Sequence, residues 1–171
     1  MLNSKALSIY TLGIAAIFAT STFAATATST LAVTAQVTST CAITSAAPLA
    51  LTYDPVVANL TAPATSTAAL TVSCTNGSAS TITLGQGVNF ATGSTDALPA
   101  RRALNGTANF LNYALYQDAG SVTIWGNTAL TGEAHIGTGN LDTVIVYASM
   151  AAAQNVPAGT YSDSIVATVT F

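Results

Sequence analysis

The sequence predicts an all-β protein, a single immunoglobulin-like β-sandwich of seven or eight short strands, from three observations. Along much of the chain, apolar and polar residues alternate with a period of two, as in half-buried strands. Glycines and prolines interrupt the sequence at intervals too short for long helices. Two cysteines, Cys41 and Cys74, are spaced so that a disulfide could bridge such strands. The length of 171 residues suits one domain.

The composition excludes several classes of protein. Half of the residues are hydrophobic, only 5% are charged, and the net charge is −3. Nucleic-acid binding needs a basic surface, and intrinsic disorder needs low hydrophobicity and high charge. A chain rich in Thr, Val and Ala with 12 glycines is instead typical of an extracytoplasmic β protein.

The N-terminus has the pattern of a secretory signal peptide over residues 1–24. Lys5 supplies the positive charge, and residues 9–18 form the apolar stretch. Small residues favour cleavage after Ala24, with a second candidate site after Ala27. The apolar run is shorter than the roughly 20 residues that span a membrane, and we expect no membrane span after the signal is removed.

The first alternating segment follows the leader, with Leu31, Val33, Ala35 and Val37 on one face, and the pattern continues to Cys41 and Ile43. The next strands are expected over residues 70–75 and 81–84. Asn76-Gly77 lies between them and is a strong hairpin signal, so we expect these two strands to pair.

Four further strands are expected in the second half. They cover residues 110–117, 122–125, 144–150 and 161–171, and residues 85–106 and 126–141 are expected to be loops. Residues 148–154 give only a weak signal for a helical turn. In the last strand one face carries Ile165, Ala167, Val169 and Phe171.

The two cysteines of an exported protein are most simply interpreted as one disulfide. A bridge between Cys41 and Cys74 would restrict the unfolded chain by roughly 3–4 kcal/mol. A metal site is the alternative, but His135 is the only histidine. We therefore expect a structural disulfide and no cofactor or metal.

No catalytic constellation stands out, and we expect no enzymatic activity. His135 and Glu133 could form a polar dyad or a metal pair, but a solvated loop histidine is favoured. Arg101 and Arg102 could bind an acidic partner, but a solvated loop after Pro99 is favoured because the chain has so few charges.

The two chain ends carry the most informative pattern. A strand-like segment directly follows the leader, and the last strand runs to Phe171. On ordinary domain anatomy residues 31–37 are the first strand of the chain's own sandwich, and this interpretation is favoured from the residues alone. Alternatively, the N-terminal strand of one subunit completes the sheet of the next, and such head-to-tail contacts build a filament.

The chain resembles the spore coat protein U domain family, which contains subunits of archaic, Csu-type chaperone–usher pili. The resemblance rests on the alternating strand before Cys41 and on four motifs. These are LTVSCTNG at 70–77, PARRALNGTANFLNYALYQD at 99–118, IWGN at 124–127 and VPAGTYSDSIVATVTF at 156–171. Together they span nearly all of the mature chain.

The resemblance implies an incomplete sandwich (residues 38–171) that lacks its last strand, preceded by a donor strand segment (residues 25–37). A periplasmic chaperone would lend a strand until the next subunit replaces it at the outer-membrane usher. Cys41 and Cys74 match the family bridge, and the carboxylate of Phe171 would anchor the chaperone. The donated side chains would be Leu31, Val33, Ala35 and Val37, of which Ala35 is a small knob. The acceptor groove and chaperone contact would comprise Ile165, Ala167, Val169 and Phe171.

The expected function is thus a structural pilus subunit on the surface of a Gram-negative bacterium, supporting adhesion and biofilm formation. With room for one domain, the chain would be a shaft or adaptor subunit, and its partners would be neighbouring subunits, the chaperone and the usher. The alternative is a self-contained secreted module, lectin-like or part of a coat matrix. Trp125 and Tyr113 would be its ligand aromatics, although core packing explains them equally well.

Overall fold

The computed structural model describes residues 23–106 and 108–171, so the signal peptide predicted for residues 1–24 lies almost wholly outside the described residues. The described residues form eight β-strands and no helix. The strands are β1 (Cys41–Ala46), β2 (Ala64–Cys74), β3 (Ala79–Leu84), β4 (Arg101–Asn105), β5 (Asn109–Tyr116), β6 (Glu133–Ile136), β7 (Leu141–Met150) and β8 (Ala167–Thr170).

The strands form two antiparallel sheets. The larger sheet has the order β1-β2-β7-β5-β4, and the smaller has the order β6-β3-β8. The longest pairing joins β2 to β7, from Ala64 opposite Met150 to Ser73 opposite Leu141. This arrangement confirms the predicted all-β, immunoglobulin-like fold.

The core lies between the inward faces of these sheets. Alternate residues of β2, β5 and β7 are buried, as the period of two requires when one face of a strand is covered. Trp125, Ile82 and Val72 are fully buried. The indole Nε1 of Trp125 donates a 2.8 Å hydrogen bond to the carbonyl of Ile82, so its one polar group is satisfied inside the core.

The predicted hairpin at Asn76-Gly77 is wrong. Strand β2 pairs with β1 and β7, whereas β3 pairs with β6 and β8. A turn does exist, because the amide of Ser78 donates to the carbonyl of Thr75 at 2.9 Å and Gly77 has a φ of 76°. The turn carries the chain from one sheet to the other, because β1 and β7 already pair with the two sides of β2.

Three other expectations need correction. Strands β4 and β6 lie inside the predicted loops 85–106 and 126–141. Residues 122–125 form only an isolated bridge, between Ile124 and Tyr116, because the Asp118 turn brings just a few residues alongside β5. The final strand is shorter than predicted, because Ser162 bridges to Leu104 in the larger sheet before the chain joins the smaller sheet as β8.

Before β1, residues 23–40 contain no strand. Cys41 lies opposite Cys74 in the β1–β2 register, and a disulfide joins them, as predicted. Across the two described ranges, no helix is long and apolar enough to cross a membrane.

A candidate binding groove beside an open strand edge

An apolar groove of about 600 Å³ opens between the two sheets. Its floor consists of buried core side chains, and its two walls are the segments 46–51 and 161–167. The floor comprises Leu70, Leu84, Ala103, Leu115, Val146 and Met150. The groove therefore reaches down to side chains of the hydrophobic core.

Strand β8 borders this groove and has a neighbour on one side only. Among the described residues, its sole partner is β3, with Ala167 opposite Leu84 and Val169 opposite Ile82. The amide of Gly85 donates to the carbonyl of Val166 at 2.9 Å, so the main chain of Val166 faces β3. Because hydrogen-bonding direction alternates along an antiparallel pair, the N–H and C=O groups of Ala167 and Val169 point to the open edge. The same two residues turn half-buried side chains inward.

The predicted acceptor residues divide into two groups. Ile165 and Ala167 line the groove. Val169 packs partly buried against the core, and Phe171 is 56% exposed. The other wall, where Leu49 and Leu51 are half-buried, was not predicted from the sequence. The alternation of Leu49, Leu51 and Tyr53 is the signal that could have identified it.

The groove has a polar end formed by Asp163. Its Oδ2 accepts a 2.6 Å hydrogen bond from the hydroxyl of Tyr113, and its Oδ1 accepts from the amides of Val88 and Asn89. Burial, and secondarily the bond to Asp163, hold the pKa of Tyr113 well above the ordinary value of a phenol. These bonds fasten the segment before β8 to the larger sheet and to the loop after β3.

The sequence predicted a solvated loop position for Arg101, and this is wrong. Arg101 lies on β4 and is 1% exposed. Its guanidinium donates to the carbonyls of Leu84, Gly85 and Trp125 at 2.7–2.9 Å. Burial lowers the pKa of Arg101 to about 10, an effect that the nearby Tyr113 and Asp163 partly offset. The side chain therefore ties β4 to the end of β3 across the core.

Arg102 is the half-buried neighbour of Arg101 on β4. Its guanidinium donates to the carbonyls of Asn89 and Phe90 and lies 3.9 Å above the ring of Phe110. With Arg101 buried and Arg102 committed to these contacts, the pair does not form a basic site for an acidic partner.

His135 likewise departs from the predicted loop position, since it lies on β6. Its Nε2 is 3.2 Å from Oδ2 of Asp142, so the carboxylate that faces it is Asp142 rather than Glu133. The hydroxyl of Thr138 donates to Asp142 at 2.7 Å, and this bond, together with His135, lowers the pKa of the Asp142 carboxyl. Within the described residues, no group of three or more His, Cys, Asp or Glu side chains is arranged to hold a metal ion.

The aromatics proposed for a lectin-like site lie in the interior. Trp125 has no exposed surface, and Tyr113 is 9% exposed. A ring can stack on a ligand only if one of its faces is open. Trp125 is therefore a core residue, and Tyr113 belongs to the polar end of the groove.

The side chains predicted for donation are open to solvent. Leu31, Val33 and Val37 are 88%, 85% and 81% exposed, and Ala35 is exposed as well.

The fold and the groove define an immunoglobulin-like β-sandwich with an apolar groove beside the unpaired edge of β8. The chain belongs to the Spore Coat Protein U domain family, whose model matches residues 27–168, and this confirms the resemblance inferred from its motifs. It is 47% identical over 123 residues to Protein U of Myxococcus xanthus, covering 70% of this chain and 69% of that protein.

A solved structure has a similar fold. It is the CsuC–CsuE chaperone–tip adhesion subunit pre-assembly complex from archaic chaperone–usher Csu pili of Acinetobacter baumannii. One of its chains matches with a TM-score of 0.53 at 18% identity, over 79% of this chain. This protein spans 40% of the matched chain.

Proposed function

We propose that this protein is a structural subunit of a surface pilus that assembles by donor-strand exchange. The observation that carries the proposal is the apolar groove beside the open edge of β8. A strand laid against that edge would pair with the main chain of Ala167 and Val169 and place alternate side chains on the groove floor. Such strand addition combines main-chain hydrogen bonds with side-chain pockets.

The donated strand is the segment 25–37 of the next subunit. Its four inward residues, Leu31, Val33, Ala35 and Val37, span about 20 Å at the rise of an extended strand. Fully burying a Val or Leu side chain contributes roughly 1.5–3 kcal/mol, so three such residues would stabilise the bound donor strand by about 5–9 kcal/mol. Ala35 fills its part of the groove least well.

Until that exchange, a periplasmic chaperone covers the groove. At an outer-membrane usher, the donor segment of the next subunit then replaces the chaperone. The matched solved structure is a chaperone–subunit complex from such a system, which supports this class of partner. Ile165, Ala167, Val169 and Phe171 are the proposed chaperone contacts. The filament is exported through the periplasm to the surface of a Gram-negative bacterium, where it supports adhesion and biofilm formation.

Two matched pairs of variants test the exchange. Val33→Asp places a carboxylate on the inward face of the donor segment, whereas Thr34→Asp places one on the opposite face. Ile165→Asp puts a charge into the groove wall, whereas Ser164→Asp alters an exposed neighbour. An unpaired buried charge is strongly unfavourable, so Val33→Asp and Ile165→Asp should abolish the SDS-resistant oligomers that dissociate on boiling.

Deletion of residues 25–37 should leave a monomer that still binds the chaperone, because its groove remains intact. Mixing this deletion variant with Ile165→Asp provides a further check. The former keeps the groove and the latter keeps the donor strand, so mixed dimers should form. Normal polymerisation by the deletion variant, or equal effects within each matched pair, would disprove donor-strand exchange.

The second candidate is a self-contained component of a secreted coat matrix. It is favoured by the family's description as a spore coat domain and by the likeness to Protein U. Such a module would fold alone as a stable monomer. Sedimentation of the chain purified without a chaperone distinguishes it from the pilus subunit.

A further inference from the structure

Residues 38–40, which directly follow the donor segment, are bonded to the turn between β2 and β3. The amide of Thr75 donates to the carbonyl of Thr40 at 2.9 Å, and the hydroxyl of Thr75 accepts from the amide of Thr40 at 3.1 Å. The same hydroxyl lies 3.4 Å from the carbonyl of Thr38, and Ser39 pairs with Ser78 through their hydroxyls. We refer to residues 38–40 together with Thr75 and Ser78 as the exit clamp.

The exit clamp is fixed to the body of the sandwich. Cys41, the next residue, is linked through its disulfide to Cys74, which precedes Thr75. On the other side of the turn, the amide of Gly77 donates to the carbonyl of Gly137, and the amide of Gly137 donates back to Ser78. The clamp is therefore held by a covalent bond on one side and by a pair of main-chain hydrogen bonds on the other.

The spacing leaves no free linker. Val37 is the last inward residue of the donor segment, and Thr38 is the first residue of the clamp. One extended residue spans at most about 3.6 Å, whereas a flexible joint needs several unattached residues. A donor segment seated up to Val37 would thus bring the exit clamp of one copy against the groove mouth of the next.

From this spacing we infer that the exit clamp is the contact surface between successive copies and sets the angle between them, which makes the filament stiff. The inference rests on the proposed donor-strand exchange. Within the clamp, Thr75 is the positioning residue, since its amide and its hydroxyl both bond to the main chain of Thr40.

The test compares filaments of the full chain by negative-stain electron microscopy. Insertion of Gly-Ser-Gly-Ser between Val37 and Thr38 keeps the clamp but adds a free joint, and it should shorten the persistence length at least twofold. Thr75→Val removes the hydroxyl and should also shorten the persistence length. Thr75→Ser keeps the hydroxyl and should restore stiffness, and Thr71→Val, on β2 before the turn, should not change it.

Subunit melting temperatures, measured alongside, separate positioning from a general loss of stability. Filaments of the insertion variant that are as stiff as the unaltered ones would overturn the inference while leaving donor-strand exchange intact. If Thr75→Val fails to fold, the insertion variant alone decides. Absence of filaments from the unaltered chain would overturn the proposed function and this inference with it.

Discussion

Replacing the buried Arg101 should destabilise the protein far more than replacing its neighbour Arg102. Arg101→Met keeps most of the side-chain volume but leaves the carbonyls of Leu84, Gly85 and Trp125 without their donor. A hydrogen bond to a charged group contributes roughly 1.5–3 kcal/mol, so the three together contribute about 5–9 kcal/mol.

The burial of the guanidinium opposes this gain. The lowering of the Arg101 pKa from 12.5 to about 10 corresponds to about 3 kcal/mol against the charged form in the folded protein. The Nη1 atom contributes to this cost, because it is buried without a partner among the described residues. The gain from the three hydrogen bonds exceeds this cost by about 2–6 kcal/mol. We therefore expect Arg101→Met to lower the free energy of unfolding by about 3 kcal/mol, in the lower part of that range.

The matched variant is Arg102→Met. Arg102 is half-buried, so water can replace its bonds to Asn89 and Phe90, and its loss should lower the free energy of unfolding by about 1 kcal/mol. Urea unfolding of the full chains, at equal protein concentration, can be followed by the fluorescence of Trp125, the single tryptophan.

With a typical urea dependence of about 2 kcal/mol per molar, Arg101→Met should shift the midpoint by about 1.5 M. The reasoning is refuted if Arg101→Met lowers the free energy of unfolding by less than 1 kcal/mol, or if Arg102→Met lowers it as much.

Three further perturbations have defined outcomes. Removing the disulfide with the double variant Cys41→Ala, Cys74→Ala, whose cysteines are 33 residues apart, should lower the free energy of unfolding by about 3–4 kcal/mol; a melting temperature unchanged in calorimetry would contradict this. One tyrosine should ionise well above pH 10 in an ultraviolet titration, and Tyr113→Phe should remove that late step, because burial and Asp163 raise the pKa of Tyr113. Backbone amides of Thr123 and Val122 lower the Asp118 pKa, so the stability it contributes is present above pH 3.8 and is lost as the pH falls through the lower folded value. The stability difference between the unaltered chain and Asp118→Asn should therefore shrink towards pH 2, and a constant difference in urea midpoint would argue against this role.

Strands with a buried face were the predictable part of the fold. Burial at every second residue of β2, β5 and β7 follows the hydrophobic alternation seen in the sequence. In the last segment, the inward facing of Ile165, Ala167 and Val169 was predictable for the same reason.

Pairing and edge strands were not predictable in the same way. Asn76-Gly77 determines a local turn, but whether the flanking strands pair depends on which neighbours β2 acquires from distant parts of the chain. Strand β4 begins with two arginines, and nothing local shows that Arg101 finds three carbonyls in the interior. At the groove, the segment with Ile165 and Ala167 alternates over a long stretch of sequence. The other wall alternates only over Leu49, Leu51 and Tyr53, which is too short a pattern to predict a strand, and no strand is assigned there.

The guanidinium groups of Arg101 and Arg102 are bonded to carbonyls of the protein, and this limits the access of proteases to both residues. Beyond residue 22, Arg101 and Arg102 are the only sites at which trypsin could cut. Both lie within β4, whose main chain is paired with β5, and their guanidinium groups are bonded to carbonyls of the protein. A trypsin subsite cannot take up either side chain until β4 separates from the sheet. Tryptic cleavage is therefore a direct measure of how often this sandwich opens.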